Sequence, residues 1–510
     1  MEKANLPSSG VEAYYVSEHK NADASALRKR LHSYSLDEAE EVTIILFVSP
    51  SSLSHESPWF INVFSTLARR DLISIFCIDE AHSLEQAGRS FRTEFITAGD
   101  GINLLREMMP RDVPVLAMSA SLRDPDIKRI TKTFGKGAKP TIMHGNLARR
   151  GTMFTCKVSG QSSKTLKSSA EEFLAKYPDK QQLWYSNSAT KAEESMLEGA
   201  ELMLERHIKR GHADTTCQSF TGADGIMMKA ATMDAFTSYS ATPEQGKKPL
   251  PKIQILTATS SANCGISSND LNNAMHDGLP PSLYELLQEM GRVDRKMNST
   301  PGTCSYEIHI SFNSYLSLFK RIMTNKSGEE RMHLLGEMNA VLKLLMNWKQ
   351  CYHSTIETYF EVNPSANKPD CDSFCSACNG EIQNSTGRFY QRQLMSILAT
   401  NVKTSQPLTP AAFMKLLKAN KTSIFHADHI PKTNTGQYHA LALQLVANDI
   451  IQLEMINNSK IGTNKISNDD FHITLPNTKC ADGIMLPAYM VSSSYNCMTT
   501  IENNAGQLSL

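Results

Sequence analysis

Two adjacent carboxylates and a histidine stand directly behind an apolar run: Ile73, Ile75, Phe76, Cys77 and Ile78 lead into Asp79-Glu80-Ala81-His82. Such a run reads as a buried strand, which puts the acids at its C-terminal end, where open α/β sheets bind ligands. There Asp79 is suited to hold Mg²⁺ on nucleotide phosphates and Glu80 to orient an attacking water, with His82 counted among the catalytic candidates. Taken alone, the tetrapeptide also fits a helix N-terminus capped by an acid. A second constellation is Gln288-Glu289-Met290-Gly291-Arg292-Val293-Asp294-Arg295, in which two arginines three residues apart share one helical face. Arginines aimed across a cleft stabilise charge on a transferring γ-phosphoryl group, whereas a solvated basic face pairing with Glu289 is the plainer alternative. A third is Cys351, nineteen residues, Cys371, three residues, Cys375, two residues, Cys378. Four thiolates satisfy tetrahedral zinc, three from one turn and Cys351 from a helix, as in a closed structural site. Cys77, Cys156, Cys217, Cys264, Cys304, Cys480 and Cys497 have no such grouping and read as packing residues.

These groups need elements to hold them. Apolar runs at Thr43 to Val48, Leu72 to Ile78 and Val113 to Met118 read as buried strands, each followed by helix-like sequence, and the alternation implies a parallel sheet. The rhythm restarts at Gln182 to Tyr185 and Ile253 to Thr257, so a second α/β domain is expected over 151–315. A helical stretch at Met332 to Trp348 leads into the cysteines, giving a helical zinc-binding module at 316–383. Helix-like segments at Phe389 to Leu398, Pro410 to Leu417 and Tyr438 to Asn448, then strand-like Ile450 to Ile456 and Phe471 to Leu475, suggest a winged-helix-like domain at 384–510. Residues 1–41 read as a polar tail or remnant with a helical stretch near Ala24 to Tyr34, and 42–150 as a first, incomplete α/β domain.

A chain of 510 residues exceeds one hydrophobic core, in keeping with several domains. Its 52 basic residues balance 52 acidic ones, so any nucleic-acid-binding surface is local rather than a global field. The N-terminal residues lack a signal-peptide core and the longest apolar runs are too short for a bilayer, so no membrane partner and an intracellular place are expected. Eleven cysteines are too sparse for a disulfide scaffold.

The order of the motifs resembles that of RecQ-family helicases of superfamily two, from about Val42 to Gly380. Val48-Ser49-Pro50 is similar to the family's segment before the DEAH strand, and Ala117-Met118-Ser119-Ala120-Ser121 to its serine-alanine-threonine motif. Tyr185-Ser186-Asn187-Ser188 resembles the first motif of the second domain; Ala258-Thr259, Gly265-Ile266 and Asp270 resemble the fifth, with His276 and Pro280 leading to Gln288. The resemblance implies two RecA-like parallel-sheet domains, the first incomplete, then the zinc module, including the Tyr359-Phe360 pair ahead of its second ligand. It implies ATP-dependent 3′ to 5′ DNA unwinding in repair or recombination, ATP with Mg²⁺ and structural Zn²⁺ as cofactors, single-stranded DNA and duplex junctions as partners, and a nuclear location. Gln288 would couple nucleotide to domain movement, while Ser49, Phe91, Arg92 and Ser119 would face the nucleic acid.

The chain departs from the pattern in places. In the DNA-sensing loop Ser83 to Phe95 the family's tryptophan is Ala87, and a stacked aromatic contributes about 1 to 3 kcal/mol per base. Asn263, Ser267 and Asp294 replace a glycine, an acidic or amide residue and a glycine. No glycine-rich loop ending in Gly-Lys-Ser/Thr occurs between Met1 and Val42; Gly160 to Thr165 lacks the second glycine and falls where the second domain begins. Impaired turnover is therefore expected of these residues, with a non-catalytic DNA-binding or scaffold protein as the alternative.

Overall fold

A computed structural model describes residues 10–16, 22–82, 93–119, 121–134, 139–143, 151–210, 216–238, 252–263, 266, 268, 270–293, 303–324, 328–347, 350–360, 374–375, 377–378, 391–402, 407–425, 436–456, 461, 466–467 and 470–475. They divide into two compact units: residues 1–145 with 359–362, and the remainder.

In the first unit β1 (Val11–Val16) lies parallel to β2 (Thr43–Val48), Val11 opposite Thr43 and Val16 opposite Val48. β3 (Phe76–Ile78) pairs in parallel with β4 (Val115–Ala117). One face of these strands presents Ile44, Leu46, Val48 and Phe76 to a core of Leu27, Leu31, Trp59, Phe60, Val63, Phe64, Leu67 and Leu105. The expectation of a polar tail before residue 42 is thus corrected. Residues 11–16 form a strand, and helix Ala22–Ser33 buries Leu27 and Leu31. The polar composition misled because only every third or fourth residue of that helix faces the core. Helix Thr93–Met108 runs so close to the turn Pro50–Leu53 that a Cβ on Gly101 would stand 1.9 Å from the Leu53 carbonyl oxygen, which leaves room for glycine alone.

The second unit is built on a six-stranded sheet in the order β5 (Met153–Val158), β10 (Ser305–Ile310), β9 (Leu271–Asp277), β6 (Gln181–Ser186), β8 (Ile253–Ala258), β7 (Thr216–Phe220). All neighbours are parallel, and every residue of β6, β8 and β9 is buried, as expected of a parallel sheet covered on both faces. Leu166, Ala170, Phe173 and Leu174 of helix Ser162–Lys176 pack on Trp184, Ile255 and Met275. Beyond β10 come helices Phe312–Met323, Gly328–Met346 and Tyr352–Tyr359. Helices Gln391–Val402, Pro410–Ala419 and Gly436–Ala447 follow, then an antiparallel pair, β11 (Gln452–Met455) and β12 (Phe471–Thr474).

Candidate functional site

Asp79 and Glu80 leave the C-terminal end of β3, and pairing with β4 continues one step beyond the strands: Met118 N–H donates to Ile78 O (2.8 Å) and Ala81 N–H to Met118 O (2.9 Å). Those bonds bring His82 over Ser119, where Nδ1 lies 2.9 Å from Oγ. Ser119 Oγ in turn accepts from the Ser121 amide (3.1 Å), and Glu80 Oε2 lies 3.3 Å from the same His82 nitrogen. Burial holds the His82 imidazole below its ordinary value against the opposing pull of Glu80, Asp126 and Asp79. Glu80 adopts a φ of 49°, in the left-handed region a non-glycine residue seldom enters, with its amide donating to Asp79 Oδ1 (2.9 Å). This sharp turn leaves Asp79 exposed and Glu80 half-buried. Ser49 sits at the head of the Pro50–Leu53 turn, its Oγ 3.0 Å from Ser51 Oγ and 2.9 Å from Ser52 Oγ. Phe91 and Arg92 lie outside the described residues.

In the second unit Gln288 is carried half-buried on helix Leu283–Met290, whose N-cap Ser282 accepts from the Glu285 amide. Arg292 follows the helix end, buried, with Nη1 donating to Ile266 O (3.2 Å); Arg295 lies outside the described residues. Glu289, which the sequence offers as a partner for a solvated arginine face, is engaged inside the unit instead. It is buried, accepts from Tyr306 OH (2.7 Å) and lies 2.8 Å from His276 Nδ1, so that one carboxylate ties the helix to β10 and β9. Tyr185 of β6 stacks on His276, ring centroids 6.4 Å apart. Burial and the neighbouring Glu289 raise the Glu285 carboxyl to about 7, and burial with Glu289 also lifts the Tyr306 hydroxyl. Tyr306 reads in sequence as one more core aromatic, and only its partner reveals its role.

The sulfur atoms of Cys351, Cys375 and Cys378 lie within 4.8 Å of one another. Tetrahedral zinc with Zn–S bonds of ~2.3 Å places sulfurs ~3.8 Å apart, so three soft thiolates at this spacing suit the ion. Cys351 heads helix Tyr352–Tyr359, and the Cys375 segment is tied to the sheet edge, Phe154 N–H donating to Phe374 O (2.8 Å). Cys371 lies outside the described residues.

No protein-family model matches the chain. Among curated proteins it is 23% identical over 381 residues to a RecQ-like DNA helicase BLM of Xenopus laevis, covering 74% of this chain and 25% of that one. To RecQ-like DNA helicase blm-1 of Caenorhabditis elegans it is 24% identical over 346 residues, 67% of this chain and 31% of the relative. The chain thus spans a quarter to a third of the length of these relatives. A solved structure of the Mycobacterium smegmatis helicase Lhr bound to ssDNA and AMP-PNP matches at a TM-score of 0.44 and 13% identity, over 69% of this chain and 40% of that one.

Proposed function

We propose that this chain, a homologue of the RecQ-like helicases of superfamily two, carries the residues of an ATP-dependent 3′ to 5′ DNA helicase acting in repair or recombination in the nucleus. The observation that carries the reading is the 2.9 Å contact between His82 and Ser119, which joins the end of the acidic strand to the neighbouring serine motif. A displacement of Ser119 by a nucleic-acid strand would be felt at Glu80, 3.3 Å from the same imidazole.

In this reading Asp79 holds Mg²⁺ and Glu80 orients water, while Arg292 and Arg295 meet the γ-phosphate and Gln288 relays its presence. Bound ATP with Mg²⁺ would supply the free energy of phosphoryl transfer. Ser49, Phe91, Arg92 and Ser119 line the path of single-stranded DNA at a duplex junction. Cys351, Cys371, Cys375 and Cys378 hold structural zinc. The first domain takes in the strand and helix ahead of residue 42 and runs to 150, followed by domains at 151–315 and 316–383 and a winged-helix-like domain at 384–510.

The test is DNA binding and DNA-stimulated phosphate release by the purified protein. Binding to single strands should fall steeply with salt, since lysine and arginine contacts to phosphates release counterions. Glu80→Gln is expected to abolish DNA-stimulated hydrolysis while leaving DNA binding in place. Salt-dependent binding with no turnover favours the non-catalytic DNA-binding alternative; no binding at any salt overturns both.

A further inference from the structure

The C-terminal helices concentrate positive charge in a chain whose charges otherwise cancel. Residues 388–448 hold seven lysines and arginines against a single acidic residue, Asp428, whereas the whole chain balances 52 against 52. Three of the seven sit together. Helix Pro410–Ala419 and the short helix Lys421–Ile424 that follows it bury Phe413, Leu417 and Ile424, and turn Lys415, Lys418 and Lys421, one every three residues, to the solvent. Lysines on other helices have acids to meet: Lys167 meets Glu201, Lys191 meets Asp277 and Lys343 meets Asp449. Among the described residues, Lys415, Lys418 and Lys421 have no carboxylate within ion-pair distance. Like charges one turn apart destabilise a helix, so this strip is most favourable with an anion from outside the chain beside it.

The form of that anion follows from what the region can present. Helix Gly436–Ala447, just ahead of the β11–β12 ribbon, is buried at every residue but Gln437. His439 Nδ1 accepts from the Phe312 amide (3.0 Å), and Tyr438 stands edge-on to Phe425. This helix therefore has no row of side chains free to read base edges in a groove. The lysine strip offers point charges, with the exposed Thr422 and Ser423 beside them. At ~1.5 Å per residue it runs ~9 Å, and phosphates follow one another every ~3.4 Å along a duplex strand, so it spans two to three of them.

We propose that Lys415, Lys418 and Lys421 form a docking strip for the phosphate backbone of duplex DNA, held without regard to base sequence. DNA as the polyanion rests on the helicase reading; the strip adds where the paired strands, and not the single strand, are held.

The full-length protein, titrated with a blunt duplex and with a single-stranded oligonucleotide between about 50 and 200 mM salt, tests this. Each neutralised phosphate contributes ~0.9 to the slope of log affinity on log salt, so Lys415→Ala, Lys418→Ala and Lys421→Ala combined should make the duplex slope shallower by about 2 to 3. Single-strand binding and the thermal midpoint should stay as they were. Lys343→Ala removes a lysine already paired with Asp449 and should leave both slopes unchanged. A wild type that binds single strands but not the duplex, or whose duplex slope survives the triple substitution, overturns the strip and leaves the helicase reading standing. So does a triple variant that weakens both substrates equally, or a Lys343→Ala protein that loses as much slope. No binding of either DNA overturns both.

Discussion

Glu307 shows how a single buried charge is held in this protein. It lies between Lys157 Nζ at 2.8 Å and His309 Nε2 at 3.5 Å, with Lys157 also donating to Ser169 Oγ (2.7 Å). Burial alone would raise the carboxyl, but the bond to His309 and the charge of Lys157 prevail and bring it down to about 2. A carboxylate depressed on folding contributes stability that is fully present above its unfolded value of ~4.3 and is lost as pH falls towards the folded one. Glu307→Gln should therefore destabilise the protein by roughly 3 kcal/mol at neutral pH, with the deficit shrinking between about pH 4 and pH 2. Urea midpoints across that range check it; a deficit of the same size at pH 2 would mean that lost packing, not lost charge, is responsible. In sequence, Ser305, Glu307 and His309 alternate with Tyr306, Ile308 and Ile310 as though one side of β10 faced water. Instead His309 is wholly buried and Glu307 nearly so. Alternation reveals a strand but not whether a helix covers its polar side. Strand ends and motif order mark Asp79, Glu80 and Ser119 in the sequence, and the structure brings His82 and Ser119 together there, whereas the buried partners of Glu289 were not readable, since they lie 13 and 17 residues away.

At the scale of elements, continuous apolar runs were the readable signal: β2, β3, β4, β6 and β8 fall where such runs occur, and helix Gly328–Met346 where the helical period does. β9 was hidden because Leu271 to Asp277 reads LNNAMHD, although all seven residues are buried. Its polar residues find partners on the next strand and on flanking helices: Asn273 donates to Ser305 Oγ (2.7 Å) of β10, Asp277 meets Lys191 Nζ (3.2 Å) and His276 meets Glu289. The cysteine segment depends on another kind of tie. Phe154 and Cys375 form a single parallel bridge at the edge of β5, with Phe154 N–H donating to Phe374 O, so among the described residues this segment is fastened to the sheet by that bridge and by whatever the thiols hold. Helices Phe312–Met323 and Gly328–Met346 bury Leu316, Phe319, Val341, Leu342 and Leu345, so the residues that should need zinc are those around Cys375 and Cys378, an ion that contributes about 10 to 16 kcal/mol of apparent binding free energy in small structural sites. One zinc per chain is expected by elemental analysis. Cys375→Ser should lose the metal and become protease-sensitive near the cysteines, while Cys304→Ser should do neither. A zinc-free wild type that resists protease would identify these cysteines as packing residues.

The whole molecule joins two units of unequal construction. The first covers one face of two strand pairs, with β2 alternating between exposed and half-buried residues; the second encloses six strands between helices on both faces. Hydrophobic stabilisation scales with apolar area removed from water, at ~25 cal/mol per Å², so a bare face is a direct deficit for the first unit. Unfolding should accordingly proceed in two steps and not as one all-or-none transition. Amides of β2 and β3 are expected to exchange with solvent well before those of β6, β8 and β9. Substitutions then separate the steps. Phe64 is 4% exposed in the first core and Leu256 is fully buried in β8, so an alanine at either costs about 2 to 5 kcal/mol. Phe64→Ala should lower only the earlier transition, and Leu256→Ala only the later one. Calorimetry of the wild type and both variants separates the steps. If both variants shift one shared transition equally, the units fold as a single cooperative body, and the open sheet is stabilised by contacts beyond its own core.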